Sequence, residues 1–193
     1  MVWYAVEGMD GSGKSTVGEI IRREMEAKGR KVLFIQHPSG SPKGRKAYKY
    51  LHGKGSRKDK ILATFYYILD VLGSLKYKKR HRGEYDDVIF VRYSMAAAYL
   101  PKSLIKMGYK MIEFVLPVPD VKIFVDILPD VALERIQSRG EDLEIFESLE
   151  ELTKTREKML LISDSWIVID NNQSPEETER AVLWVLSETE KTD

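Results

Sequence analysis

The amino-acid sequence predicts an α/β fold, a three-layer α/β/α sandwich around a five-stranded parallel sheet, on two observations. Five short apolar runs rich in β-branched residues alternate with longer stretches of helical periodicity. That alternation produces parallel strands with helices on both faces. The first apolar run also leads straight into a glycine-rich turn and a helix, the arrangement that builds a ligand site at the carboxyl ends of strands. With 193 residues and no internal repeat or low-complexity segment, the chain reads as a single domain, 1–193.

Val2–Val6 is the first buried strand, and the helix after it runs from about Lys14 to Lys28, with Val17, Ile20, Ile21 and Met25 on one face and Gly29 as its stop. Lys31–Gln36 is the second strand. The stretch HPSGSPKGRK that follows has two prolines, two serines and two glycines among basic residues, and reads as an ordered turn forming a substrate loop. From Asp59 to about Lys79, the residues Ile61, Phe65, Ile68, Leu72 and Leu75 recur at helical spacing, and Leu62, Tyr66 and Leu69 widen the stripe. This helix is expected to be buried on more than one side. Asp87–Val91 is the third strand and Val121–Asp126 the fourth, with a helix near Ala96–Met111 between them. Pro129 opens a helix that reaches Arg139 and Gly140. The acidic stretch Glu141–Glu151 leads into a helix near Leu152–Ile162. Trp166–Asp170 is the fifth strand, and Ser174-Pro175-Glu176-Glu177 caps a last helix through Leu186, leaving ETEKTD as a frayed tail.

Composition narrows the function classes. The chain has 31 basic and 30 acidic residues and a formal charge of +1. Bulk electrostatics therefore favours neither a nucleic-acid nor a membrane partner, and any anion site must be local. The run Lys76, Lys78, Lys79, Arg80 and Arg82 reads as a solvated helix end. The absence of cysteine excludes disulfides, thiolate metal sites and thiol nucleophiles. No signal-peptide pattern opens the chain, and no run approaches the ~20 apolar residues of a membrane span. A soluble, cytoplasmic protein is expected.

Gly8-Met9-Asp10-Gly11-Ser12-Gly13-Lys14-Ser15, followed by Thr16, matches the G-x-x-x-x-G-K-[ST] phosphate-binding loop in full, with a strand before it and a helix after it. The glycines let backbone N–H groups converge on phosphate oxygens, and the helix N-terminus adds its positive dipole end. Lys14 supplies a point charge for the β- and γ-phosphates of ATP, and the Ser15 hydroxyl is placed to ligate Mg²⁺. The predicted fold is thus that of P-loop NTPases.

The opening VEGMDGSGKST and the block PDVKIFVDILPDVALERIQSRG resemble the thymidylate kinase family of P-loop nucleoside monophosphate kinases, and the weaker segments HPSG and VRYSMAAAYL extend the likeness over most of the chain. The resemblance implies transfer of the ATP γ-phosphoryl group to dTMP or a related nucleotide. It puts Glu7 and Asp10 beside the acceptor sugar, with Asp10 meeting the 3′-hydroxyl or else only ordering its own loop. Arg92 corresponds to an arginine that holds phosphate, and Arg139 to the arginine of a short lid around residues 139–150. Pro38, Arg45, Phe65, Tyr66 and Tyr99 are the remaining acceptor candidates, although rings at the spacing of 65 and 66 more often belong to a core. The family also pairs through helices like the one at Asp59–Lys79, so the resemblance implies a homodimer.

Several positions depart from the family pattern. Val91 stands where an aspartate precedes the phosphate-holding arginine, so Glu7 or Asp126 becomes the candidate carboxylate for the metal. His37 replaces a glutamate before Pro38, and no arginine follows the aromatic cluster of the long helix. These departures keep open a different small acceptor, or an ATP-binding regulatory protein with weakened transfer.

Overall fold

A computed structural model describes residues 1–53, 56–100, 102–138 and 147–191. Strands β1 (Val2–Glu7), β2 (Val32–Gln36), β3 (Asp87–Val91), β4 (Val121–Asp126) and β5 (Ile167–Asp170) form one parallel sheet in the order β2-β3-β1-β4-β5. The strand that leads into the glycine-rich loop is therefore central. Strand alternation divides the core into two clusters. Tyr4, Val6, Ile89, Val91, Ile123, Val125 and Ile169 face α1 (Lys14–Ala27) and α7 (Pro175–Glu190), where Val17, Ile21, Met25, Val182 and Val185 meet them. Trp3, Ala5, Val88, Phe90 and Phe124 face the other layer, which contains α3 (Arg57–Arg80), α4 (Ile105–Val115), α5 (Pro129–Gln137) and α6 (Leu149–Leu160). Each large aliphatic side chain buried this way stabilises the fold by about 1.5–3 kcal/mol.

Several local readings change. The substrate-loop segment contains a further helix, α2 (Pro42–Leu51), because the Ser41 hydroxyl accepts from the Lys43 and Gly44 amides and Pro42 is preset for the first turn. The stretch 96–111 is not one helix. A 3₁₀ turn spans Met95–Tyr99 and another Lys102–Leu104, on either side of Pro101, before α4 begins. Ser148 caps α6 at Leu149, three residues before the predicted start, and α7 runs into the expected tail, continuing to Glu190. In α3, a capping box joins Ser56 and Asp59, while Ala63, Asp70, Val71 and Ser74 form the buried side. The stripe Ile61, Phe65, Ile68 and Leu72 is 59, 53, 50 and 44% exposed, so the chain itself buries only one side of this helix. Among the described residues, no helix is long and apolar enough to cross a membrane.

Candidate active site

The loop between β1 and α1 turns twice through the left-handed region, at Gly11 (φ 76°) and Gly13 (φ 86°). A side chain at Gly11 would strike the Ala132 carbonyl of α5, so backbone geometry and packing both demand glycine here. At the start of α1, buried Lys14 donates through Nζ to the Met9 carbonyl (2.9 Å) and to Asp10 Oδ1 (3.0 Å). The same Asp10 oxygen accepts from the Arg92 guanidinium. Arg92 follows β3 in a left-handed conformation (φ 62°), its amide held by the Val6 carbonyl and its guanidinium also donating to the His37 carbonyl (3.2 Å). One carboxylate thus holds together the two cations that the motif and the resemblance assign to phosphate.

Electrostatics follows from that cluster. Burial opposes the Asp10 charge, yet Lys14 and Arg92 outweigh it and hold the carboxyl well below its ordinary range. Burial, with Arg92 nearby, brings the Lys14 ammonium down to about 8 despite Asp10.

His37 is wholly buried. Its Nδ1 donates to the Arg92 carbonyl (2.8 Å) and its Nε2 lies 2.9 Å from Ser74 Oγ of α3. The His37–Pro38 peptide is cis. Beyond it, Asp70 of α3 accepts from the Ser39 amide, the Ser39 hydroxyl and the Ser41 hydroxyl, each at 2.6 Å. His37 and Asp70 therefore brace the loop after β2 against α3, roles that nothing in their local sequence signals.

A sequence profile of the thymidylate kinase family matches residues 6–182. The chain belongs to the thymidylate kinase family. It is 30% identical over 190 residues to a probable thymidylate kinase of Archaeoglobus fulgidus, covering 94% of this chain and 93% of the relative. It is also 30% identical over 189 residues to the thymidylate kinase of Leptospira borgpetersenii, covering 91 and 88%. The fold matches the solved thymidylate kinase of Candida albicans with a TM-score of 0.78 at 19% identity, over 98% of this chain and 92% of that one. The family makes the protein an ATP-dependent phosphotransferase.

Within the family frame, the departures acquire positions. Val91 is fully buried on the α1 side of the sheet, where its side chain and Phe34 close over Gly18. Neither alternative carboxylate is free to replace an aspartate there. Glu7 is buried and accepts from the Tyr93 and Met95 amides, which shape the chain after β3, and burial raises its carboxyl above the ordinary value. Asp126, at the end of β4, receives Nε and Nη2 of Arg156 from α6, both at 2.8 Å. Arg156 escapes a sequence reading because its partner lies 30 positions away on another element. Among the described residues, no group of three histidine, aspartate or glutamate side chains is placed to hold a metal.

The remaining candidates separate. Arg45 is exposed and bonds the Gly40 carbonyl, next to the loop that carries Pro38. Phe65 belongs to the exposed stripe of α3, while Tyr66 stacks on Tyr50 at 5.8 Å with Lys46 over its ring. The ring of the cluster that meets His37 is Tyr67, with centroids 6.1 Å apart. Arg139 and most of the expected lid lie outside the described residues, as does the side chain of Tyr99.

Proposed function

We propose that the protein transfers the γ-phosphoryl group of ATP to dTMP. Family membership supports the reaction, and the meeting of Lys14 and Arg92 on Asp10 is the observation that supports this site. Such transfer needs positioning and charge stabilisation more than covalent chemistry. The backbone amides of residues 8–13 and the N-terminus of α1 would receive the ATP phosphates, with Lys14 exchanging Asp10 for phosphate oxygens. Arg92 would turn from Asp10 to the acceptor phosphate, releasing the Asp10 carboxylate for the acceptor sugar.

The donor set suits a Mg²⁺ bound mainly through ATP phosphates and water. Ser15 supplies one hydroxyl at the second residue of α1, while Glu7 and Asp126 are already engaged by backbone amides and by Arg156. The metal would offset charge on the transferring group.

The exposed stripe Ile61, Phe65, Ile68 and Leu72 supports a homodimer that pairs through α3. A cytoplasmic location fits soluble nucleotide substrates. The apolar setting of Val91 favours one second reading, an ATP-binding protein with weakened transfer. ADP release measured across a panel of nucleoside monophosphates separates the two: dTMP-dependent turnover supports the kinase, and ATP binding without turnover supports the weaker reading.

A further inference from the structure

Behind the phosphate loop, on the side away from Arg92, the chain leaving β5 brings one buried amide against the loop's backbone. Asn171 donates from Nδ2 to the Ser12 carbonyl at 2.7 Å, and a Cβ added at Gly13 would collide with that same nitrogen. Its Oδ1 accepts from the Thr178 hydroxyl of α7 at 2.6 Å. Its backbone is held as well, since its amide donates to the Asp126 carbonyl at 2.9 Å and its carbonyl accepts from Arg135 of α5 at 3.1 Å. Asn171 and Thr178 are 8 and 4% exposed, so neither bond competes with bulk water.

The Ser12 carbonyl can only accept, which forces the amide nitrogen of Asn171 toward it, and the Thr178 hydroxyl meets the oxygen that remains. The consequence for the loop comes from peptide geometry. The Ser12–Gly13 peptide is trans and planar, so its N–H points opposite to its C=O. Fixing the Ser12 carbonyl on Asn171 therefore aims the Gly13 N–H away from Asn171, to the opposite side of the loop. Gly13 cannot fix this orientation for itself, because a glycine with φ 86° has no side chain to restrict the peptide on either side.

We infer that Asn171, oriented by Thr178, is a positioning residue that presets the Gly13 amide for the ATP phosphates. The inference rests on the reading of residues 8–15 as the ATP site. In this arrangement Asn171 and Thr178 contribute to donor binding through the loop backbone, and the acceptor side, built from Asp10, Arg92 and His37, makes no hydrogen bond to either.

The test combines ATP affinity by titration calorimetry with steady-state kinetics and thermal unfolding, for the full chain and for Asn171→Asp, Asn171→Ala, Thr178→Val and Thr178→Ser. Asn171→Asp keeps the shape but cannot donate to Ser12, and is expected to weaken ATP binding by about tenfold or more, with the dTMP KM within about twofold of wild type. Thr178→Val should weaken ATP binding by about threefold and Thr178→Ser should restore it. Folded Asn171→Asp and Asn171→Ala with wild-type ATP affinity would overturn the inference. So would a parallel rise in both KM values in step with lost thermal stability. If the Asn171 variants do not fold, the Thr178 pair decides, and equal ATP affinity in Val and Ser variants overturns it. A wild-type chain that binds no ATP would instead overturn the reading of the loop itself.

Discussion

Asp10 Oδ1 is shared by Lys14 and Arg92, one cation from the helix after β1 and one from the turn after β3. The geometry explains why both cations are held in place before any phosphate arrives. A buried ammonium and a guanidinium side by side repel, and one carboxylate between them offsets that repulsion. An incoming phosphate can take over both partners.

Removing the ammonium should therefore abolish transfer more than folding. Lys14→Ala is expected to lower kcat/KM by at least about two to three orders of magnitude, while far-ultraviolet circular dichroism stays as in wild type. Wild-type-like turnover in the folded variant would contradict the assignment. Because burial and Arg92 bring the Lys14 ammonium down to about 8, its charge is lost as pH rises through that value. A profile of kcat/KM for ATP, which reports the free enzyme, should fall above about pH 8.

Acid should act through His37. Burial holds its imidazole below the ordinary 6.5, so between those two values the unfolded chain binds more protons than the folded one. The contribution of neutral His37 is complete above 6.5 and is lost as pH falls through the folded value. Unfolding free energies from urea titrations between about pH 7.5 and 5.5 should fall more steeply for wild type than for His37→Gln, by up to about 1.4 kcal/mol per pH unit. Equal slopes would exclude His37 as the titrating group.

Val91 tests the family departure. A carboxylate at this position would enter the cluster of Val17, Ile21 and Phe34 beside Gly18. Val91→Asp is expected to cost at least about 2 kcal/mol of stability without raising turnover. A variant of unchanged stability and higher activity would show that the carboxylate reaches the phosphates.

The apolar stripe of α3 predicts self-association. Sedimentation at micromolar concentration should give a dimer, and Phe65→Glu or Ile68→Glu, at half-exposed positions, should give a folded monomer. A monomeric wild type would remove the basis for pairing.

The sheet was legible in the sequence because each strand is a short β-branched run and the glycine loop orders the first strand and helix unambiguously. Lys14 and the loop could be placed from spacing alone. The second helix was hidden by its own composition, since proline and glycine in HPSGSPKGRK suggest a turn until Ser41 is seen as a cap. The partners of Asp126, Glu7 and His37 were not legible, because each is a contact between elements far apart in the chain that only the fold brings together. The aromatic cluster misled for a related reason. Helical spacing puts Phe65 and Tyr67 on different faces, but which face meets His37 depends on how α3 docks on the sheet.

Phosphoryl transfer to dTMP is tested most directly by a coupled ADP-release assay of the full chain with ATP, Mg²⁺ and each nucleoside monophosphate in turn. Turnover is expected to depend on dTMP and to disappear in Lys14→Ala. No acceptor-dependent ADP release from folded protein that binds ATP would contradict it.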